Sequence, residues 1–229
     1  MRNINIFLLS LICLFIFNSC ELDNYDGPNS TISGGIYDIE TGELVPQDII
    51  IGAQIEYVEH GFTNPETQYM VIKPDGTYNN NLMFANKYTM HLVRGNFVPI
   101  NEIEVDVKGD TKLDFTVQPY VRVKNLTIEK ESDKIVATFN IQQTVPEPVI
   151  RIGLYAHPQD IVGVQAYTVR REAVVNAVTN ESTLYRLEID IPSNSRNLKE
   201  GNYYYFRVGA IVNVPQAKLN YGATVKILI

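Results

Sequence analysis

Apolar and polar residues alternate with period two through most of this chain. Ile51, Ala53, Ile55 and Tyr57 interleave with Gln54 and Glu56. Ile103, Val105 and Val107 interleave with Glu102, Glu104 and Asp106, and Leu113, Phe115 and Val117 with Asp114 and Thr116. Successive side chains on a strand point to opposite faces, so each run predicts a half-buried β-strand. Lys73-Pro74-Asp75-Gly76 predicts a turn, with proline setting φ and glycine taking the positive φ. Beyond Tyr120, strand-like runs recur at Val121–Glu129, Lys134–Ile141, Val149–Tyr155, Gln165–Val178, Leu184–Ile191, Tyr203–Val212 and Ala223–Ile229. Polar or proline-containing turns separate them, and short strands at this spacing predict a β-sandwich. Residues 171–178, REAVVNAV, suit either a strand or a turn or two of helix. The fold class is therefore all-β: two β-sandwich domains in tandem, residues 31–118 and 119–229, meeting near Gln118-Pro119-Tyr120.

The N-terminus breaks the pattern. Arg2 is the only charge in residues 1–19, and an apolar run from Ile6 to Phe17 is interrupted only by Ser10. A positive start, a short apolar run and a small polar boundary are the parts of a signal peptide. A spanning helix needs about 20 apolar residues, more than this run supplies. Phe17-Asn18-Ser19-Cys20 resembles the bacterial lipoprotein signal, in which the cysteine becomes the first residue and is lipidated. The only other cysteine, Cys13, lies in the segment expected to be removed, so no disulfide pair remains. Cys20 is thus expected to be a membrane-lipid tether, each buried acyl CH₂ contributing about 0.8 kcal/mol. Residues 20–30, polar and acidic with Gly27-Pro28, read as a flexible linker.

Composition narrows the partners. The net charge is −7, and it becomes −8 over residues 20–229 once Arg2 is removed. An acidic chain without a basic run argues against nucleic acid as a partner. His60, His91 and His157 are far apart in sequence and lie in no metal-ligand spacing. There is no G-x-S-x-G elbow and no phosphate loop. The sequence therefore points to no catalytic residue, no metal and no cofactor. A glycosidase pair would need two carboxyls facing one cleft about 5–10 Å apart, which two small sandwiches rarely offer.

Resemblances to known families follow from particular residues. Gly35-Ile36-Tyr37-Asp38 with Thr41-Gly42-Glu43 and Pro46, the turn Asp75-Gly76-Thr77-Tyr78, the strand Asn86–Met90 and the strand Leu113–Val117 resemble the transthyretin-like, carboxypeptidase-regulatory-like sandwich over residues 31–118. That resemblance implies an accessory domain that cleaves nothing. Leu198, Tyr204, Phe206, Arg207, Val208 and Ala210 resemble the pattern of a fibronectin type III or Ig-like module, with Tyr204 as the tyrosine corner whose hydroxyl bonds upstream backbone. Together with the tether CELDNYDGPN, the chain resembles the two-domain lipoproteins grouped as domain of unknown function 3823. Those occur in Gram-negative gut anaerobes, often encoded beside outer-membrane importers and binding proteins of glycan uptake. The resemblance implies an outer-membrane location, facing the cell surface or the periplasm, and contact with glycan, importer or both. It implies no known activity.

Two surface features remain. Glu102, Glu104 and Asp106 share one face of a strand, and Asp114 on the next strand extends them into an acidic stripe. Such a stripe reads as a solvated sheet face or as a site for a cation or basic partner. If Tyr204, Phe206, Val208 and Ala210 point inward, Tyr203, Tyr205 and Arg207 point outward. With Ile150, Ile152 and Leu154 inward on the neighbouring strand, Arg151 and Tyr155 join them. Aromatics beside arginine suit sugar stacking or protein docking. The same face also suits plain cross-strand pairing, or contact with the first domain. The expected function is that of a surface-anchored, non-catalytic binding lipoprotein of a glycan-uptake system, with a structural or adhesive docking module as the alternative.

Overall fold

The computed structural model describes residues 26–229, so the signal segment and Cys20 lie outside the described residues. The first domain contains β1 (Ser30–Asp38), β2 (Gln54–Glu59), β3 (Thr67–Val71), β4 (Thr77–Met83), β5 (Asn86–Val93), β6 (Ile103–Val107), β7 (Asp110–Lys112) and β8 (Phe115–Val117). One sheet runs β4-β1-β7 with β8 also on β1, and the other runs β3-β2-β5-β6. Inward residues of both, including Ile32, Ile36, Tyr78 and Phe115 from the first and Ile55, Met70, Tyr88 and Met90 from the second, close one core. The alternation read at residues 51–57 begins later than expected. Gln54 is the first strand residue, and Ile51 lies in the preceding turn.

β1 has an unusual pairing. It runs antiparallel to β4 but parallel to β7 over Thr31–Ser33 and to β8 over Ile36–Asp38. Between these two parallel stretches the chain bulges at Leu113-Asp114, against Gly34-Gly35. A Cβ on Gly34 would lie 1.8 Å from the Leu113 carbonyl oxygen. That carbonyl also accepts the Tyr78 hydroxyl at 2.5 Å, and Asp114 Oδ1 accepts the Gly35 N–H at 2.9 Å.

The second domain contains β9 (Val121–Glu131), β10 (Lys134–Gln143), β11 (Val149–His157), β12 (Val169–Ala177), β13 (Tyr185–Asp190), β14 (Tyr203–Val212), β15 (Asn220–Tyr221) and β16 (Val225–Leu228). The sheets are β13-β10-β9 and β12-β11-β14-β15, with β16 also on β14. Residues 171–178, open between strand and helix in sequence, fall almost wholly in β12. Tyr204, Phe206, Val208 and Ala210 face the core, and Tyr204 Oη accepts the Lys199 N–H at 3.0 Å. One inward residue differs from expectation. A bulge between Val149 and Arg151 turns Val149 into the core and leaves Ile150 only half-buried.

The two sandwiches meet across a polar seam. Of eight buried polar or charged residues among those described, all but Ser30 lie along it: Asp38, Gln47, Asp48, Asn96, Arg122, Arg207 and Asn220. Arg122 grips the Asp38 carboxylate with two nitrogens, Nη2 at 2.8 Å and Nε at 2.5 Å, while its Nη1 reaches Glu40 at 2.7 Å. Asn220 Nδ2 donates to the Asn96 carbonyl at 2.7 Å, and Asn96 Nδ2 donates to the Leu219 carbonyl at 3.1 Å. Arg207, only 2% exposed, donates Nη1 to the Gln47 carbonyl at 2.9 Å and Nη2 to the Pro74 carbonyl at 3.0 Å. Its guanidinium lies 4.2 Å from the centre of the Tyr221 ring, whose hydroxyl donates to Asp48 Oδ2 at 2.9 Å. Buried polar groups carry a large cost when unpaired, so this seam holds one relative orientation of the domains.

Three outcomes follow from this architecture. Gly34→Ala drives a methyl group into a backbone oxygen and is expected to destabilise the chain by about 3 kcal/mol or more, read from the shift of the urea midpoint. Arg207→Met leaves the Gln47 carbonyl without its donor, the Pro74 carbonyl keeping the Gln47 N–H, and is expected to cost about 3 kcal/mol. In calorimetry it should split one unfolding transition into two. The third concerns acid. Burial would raise the Asp38 carboxyl, but the Arg122 guanidinium and the Glu40 N–H outweigh it and hold the group below its ordinary 3.8. Its contribution is complete above that pH and is lost as the pH falls through the lower folded value. Hydrogen exchange at Asn96 and Asn220 should accelerate in that window, and Asp38→Asn should abolish this pH dependence.

Candidate functional site

The outward face of the β12-β11-β14 sheet was the leading candidate in the sequence, and the structure divides it. The expected strand pairing is present: β11 lies beside β14, with Tyr155 opposite Arg207 and His157 opposite Tyr205. Arg207 and Tyr155 are nevertheless not surface residues. The Pro74 turn and the Gln47-Asp48 segment of the first domain cover Arg207. Tyr155 is closed in with Val162, Leu219 and Tyr221 in a small separate core. Burial pushes the Tyr155 phenol well above its usual range. Its hydroxyl donates to Glu172 Oε1 at 2.7 Å, which raises it further. Burial likewise pushes up the Tyr221 phenol, aided by Asp48. Arg151 stays half-exposed, its Nε 3.5 Å from Glu172 Oε1 without the alignment of a hydrogen bond.

What remains open on this face is smaller than expected. Tyr203 is 55% exposed and Tyr205 is half-buried. Lys226, opposite Tyr205 on β16, holds its ammonium 4.7 Å above the Tyr203 ring and 5.5 Å from the Tyr205 ring. This is a two-ring edge with a cation over it, in place of three tyrosines and two arginines.

The acidic stripe is also shorter than expected. Glu104 and Asp106 are exposed on edge strand β6, with Glu102 just before it. Lys87, opposite Asp106 on β5, stands 3.5 Å from Glu104 and offsets part of the charge. Asp114 does not join them. It sits between β7 and β8, in the other sheet, where it accepts the Gly35 N–H and pairs with Lys112 at 3.0 Å. Among the described residues no group of three or more His, Cys, Asp or Glu side chains is placed to hold a metal ion. The three histidines stay apart: His60 bonds Thr89 Oγ1 at 2.7 Å, His91 lies 4.0 Å from Glu56 and His157 bonds Gln159.

Two concavities were not anticipated. One, of about 430 Å³, opens at the mouth of the seam beside Arg122, between Leu44 and Pro46 of the first domain and Val123 and Val225 of the second. The other, of about 670 Å³, lies between the edges β12 and β13 of the second sandwich. Each is built from residues distant in sequence, so no linear motif marks it. The Arg170-Arg171 pair was the one local signal for the larger groove.

With this geometry in view, known proteins give a consistent picture. Residues 30–118 match the family model described as the N-terminal domain of a protein of unknown function, DUF3823, and residues 121–226 match the model of its C-terminal domain of unknown function. A solved structure from Bacteroides uniformis, called a "putative carbohydrate binding protein", is 34% identical, with a TM-score of 0.82 over 89% of this chain and 100% of that one. DUF3823 family proteins from Parabacteroides merdae and Bacteroides ovatus share the fold at 21% and 22% identity, with TM-scores of 0.76 and 0.72. They cover 88% and 87% of this chain and 100% and 98% of their own. No curated protein matches. Two family models in tandem, over nearly all of the described residues, place this chain in the DUF3823 family.

Proposed function

We propose that this protein is a non-catalytic binding lipoprotein, held at the outer membrane by lipid on Cys20 and serving a glycan-uptake system through contact with carbohydrate. The observation that carries this reading is the exposed Tyr203 ring beside Tyr205 and under Lys226. An aromatic face stacks on the apolar face of a sugar, while an ammonium serves its hydroxyls. The 34% identical relative named for carbohydrate binding supports the ligand class. Among the described residues the buried polar and charged groups, Ser30 apart, are engaged in the seam.

A second reading, docking to a protein of the same system, has its own observation. Tyr69 and Val71 are exposed on β3, an edge strand, and Phe62 is exposed in the turn that precedes it. An unpaired edge with apolar side chains suits addition of a partner strand.

A glycan-array screen of soluble residues 21–229 tests the first reading. The expected result is binding of at least one glycan, reduced about tenfold by Tyr203→Ala/Tyr205→Ala, as the loss of a stacking platform would give. No binding to any glycan overturns it and moves the weight to β3.

A further inference from the structure

The groove between β12 and β13 has a structure of its own. Both strands are sheet edges, β12 of one sheet and β13 of the other, so their outer backbone groups carry no ladder partner. They border the same open side of the sandwich. Val169, Ala173, Leu187 and Ile189 make an apolar floor between them. Lys134, Arg171 and Arg186 stand on the rim with the carboxylates Glu188 and Asp190, and Glu131 pairs with Arg186 at 3.0 Å.

Carboxylates answer Lys134 and Arg186, and Arg171 is the rim cation left over. Glu188 is shared between Lys134 at 2.6 Å and Arg186 at 2.8 Å, and Asp190 accepts the Ser193 N–H at 2.8 Å. Arg170 faces the other side of β12, opposite Tyr155, with its guanidinium 4.7 Å over the Tyr167 ring and its Nε 3.8 Å from Glu172. Arg171 is exposed and lies in no ion pair among the described residues. It projects from the core-facing side of β12, the side that forms the groove, because its partner across the ladder is the inward residue Leu154.

An apolar floor with an unpaired guanidinium on its rim fits a ligand that has an apolar face and an anionic edge. A guanidinium meets a carboxylate or sulfate with two parallel N–H bonds. The volume, about 670 Å³, is within the range of ligand sites. From this geometry we infer that the β12–β13 groove binds an acidic oligosaccharide, through uronate carboxylates or sulfate esters, with Arg171 as the principal anion contact. The inference rests on the carbohydrate reading above and names a second, distinct site on the same body.

Calorimetric titration of residues 21–229 tests it with three probes: tetragalacturonate, its neutral methyl ester and a chondroitin sulfate tetrasaccharide. At least one acidic probe should bind, and which one does tells carboxylate from sulfate recognition. The methyl ester should bind about tenfold more weakly than tetragalacturonate if carboxylate is read. Arg171→Gln should weaken the acidic probe about tenfold with an unchanged melting temperature, and added salt should weaken it in the wild type. Tyr203→Ala/Tyr205→Ala should leave it unchanged. Absence of binding by both acidic probes, or wild-type affinity in the arginine variant, overturns the inference. If neutral glycans bind at Tyr203 while acidic ones do not, this inference alone fails; if neither class binds, the carbohydrate reading fails with it.

Discussion

A guanidinium cannot give up its charge, so burying one imposes conditions on everything around it. Arg207 is the central case. It lies on β14 of the second domain, but two of its acceptors are carbonyls of the first. Those carbonyls belong to Pro74, in the turn before β4, and to Gln47, beside Asp48. Each must sit within hydrogen-bond range or the charge is left unsatisfied in a desolvated place. Arg122 makes the same demand at the other end of the seam through Asp38. Two buried cations from one domain, both answered by the other, fix position and rotation together. A purely apolar contact of the same size would resist separation without choosing an orientation so sharply.

Much of the fold was legible in the sequence because strands with one face buried declare themselves by period two. Tyr204, Phe206, Val208 and Ala210 read as inward and are inward. The Pro74-Asp75-Gly76 turn read as a turn and is one, with Gly76 at φ 91°. What the alternation does not report is which outward face will be covered. Arg207 and Tyr203 alternate identically along β14, yet one is closed under the first domain and the other is open. That difference is set by residues 47–48 and 74, far away in the chain. Ile150 failed for a local reason: a bulge shifts the count by one, and hydropathy carries no mark of a bulge. Asp114 failed because sequence neighbours β6 and β7 belong to different sheets. The seam residues Gln47, Asn96 and Asn220 carried no signal beyond being polar amid apolar neighbours.

The candidate sites follow the same division. Covering Arg207 and Tyr155 removes the centre of the tyrosine face and leaves its end at Tyr203, while the β12–β13 groove stays open at the other side of the same sheet. Both remaining surfaces belong to the second domain; the first covers Arg207 between them, while the second domain's own Val162, Leu219 and Tyr221 close over Tyr155. In the DUF3823 family the N-terminal sandwich is thus more than a spacer here, because it decides which part of its neighbour is available.

β1 begins at Ser30, where the described chain enters the first sandwich, and ends at Asp38, in the grip of Arg122. A pull applied ahead of residue 30 therefore runs along the axis of a strand bonded on both sides, to β4 and to β7 and β8. Its hydrogen bonds are loaded in shear, many at once, and not opened one after another. The far end of that same strand passes the load into the second domain through an ion pair shielded from water. The molecule is a single mechanical link, with its line of tension drawn through β1.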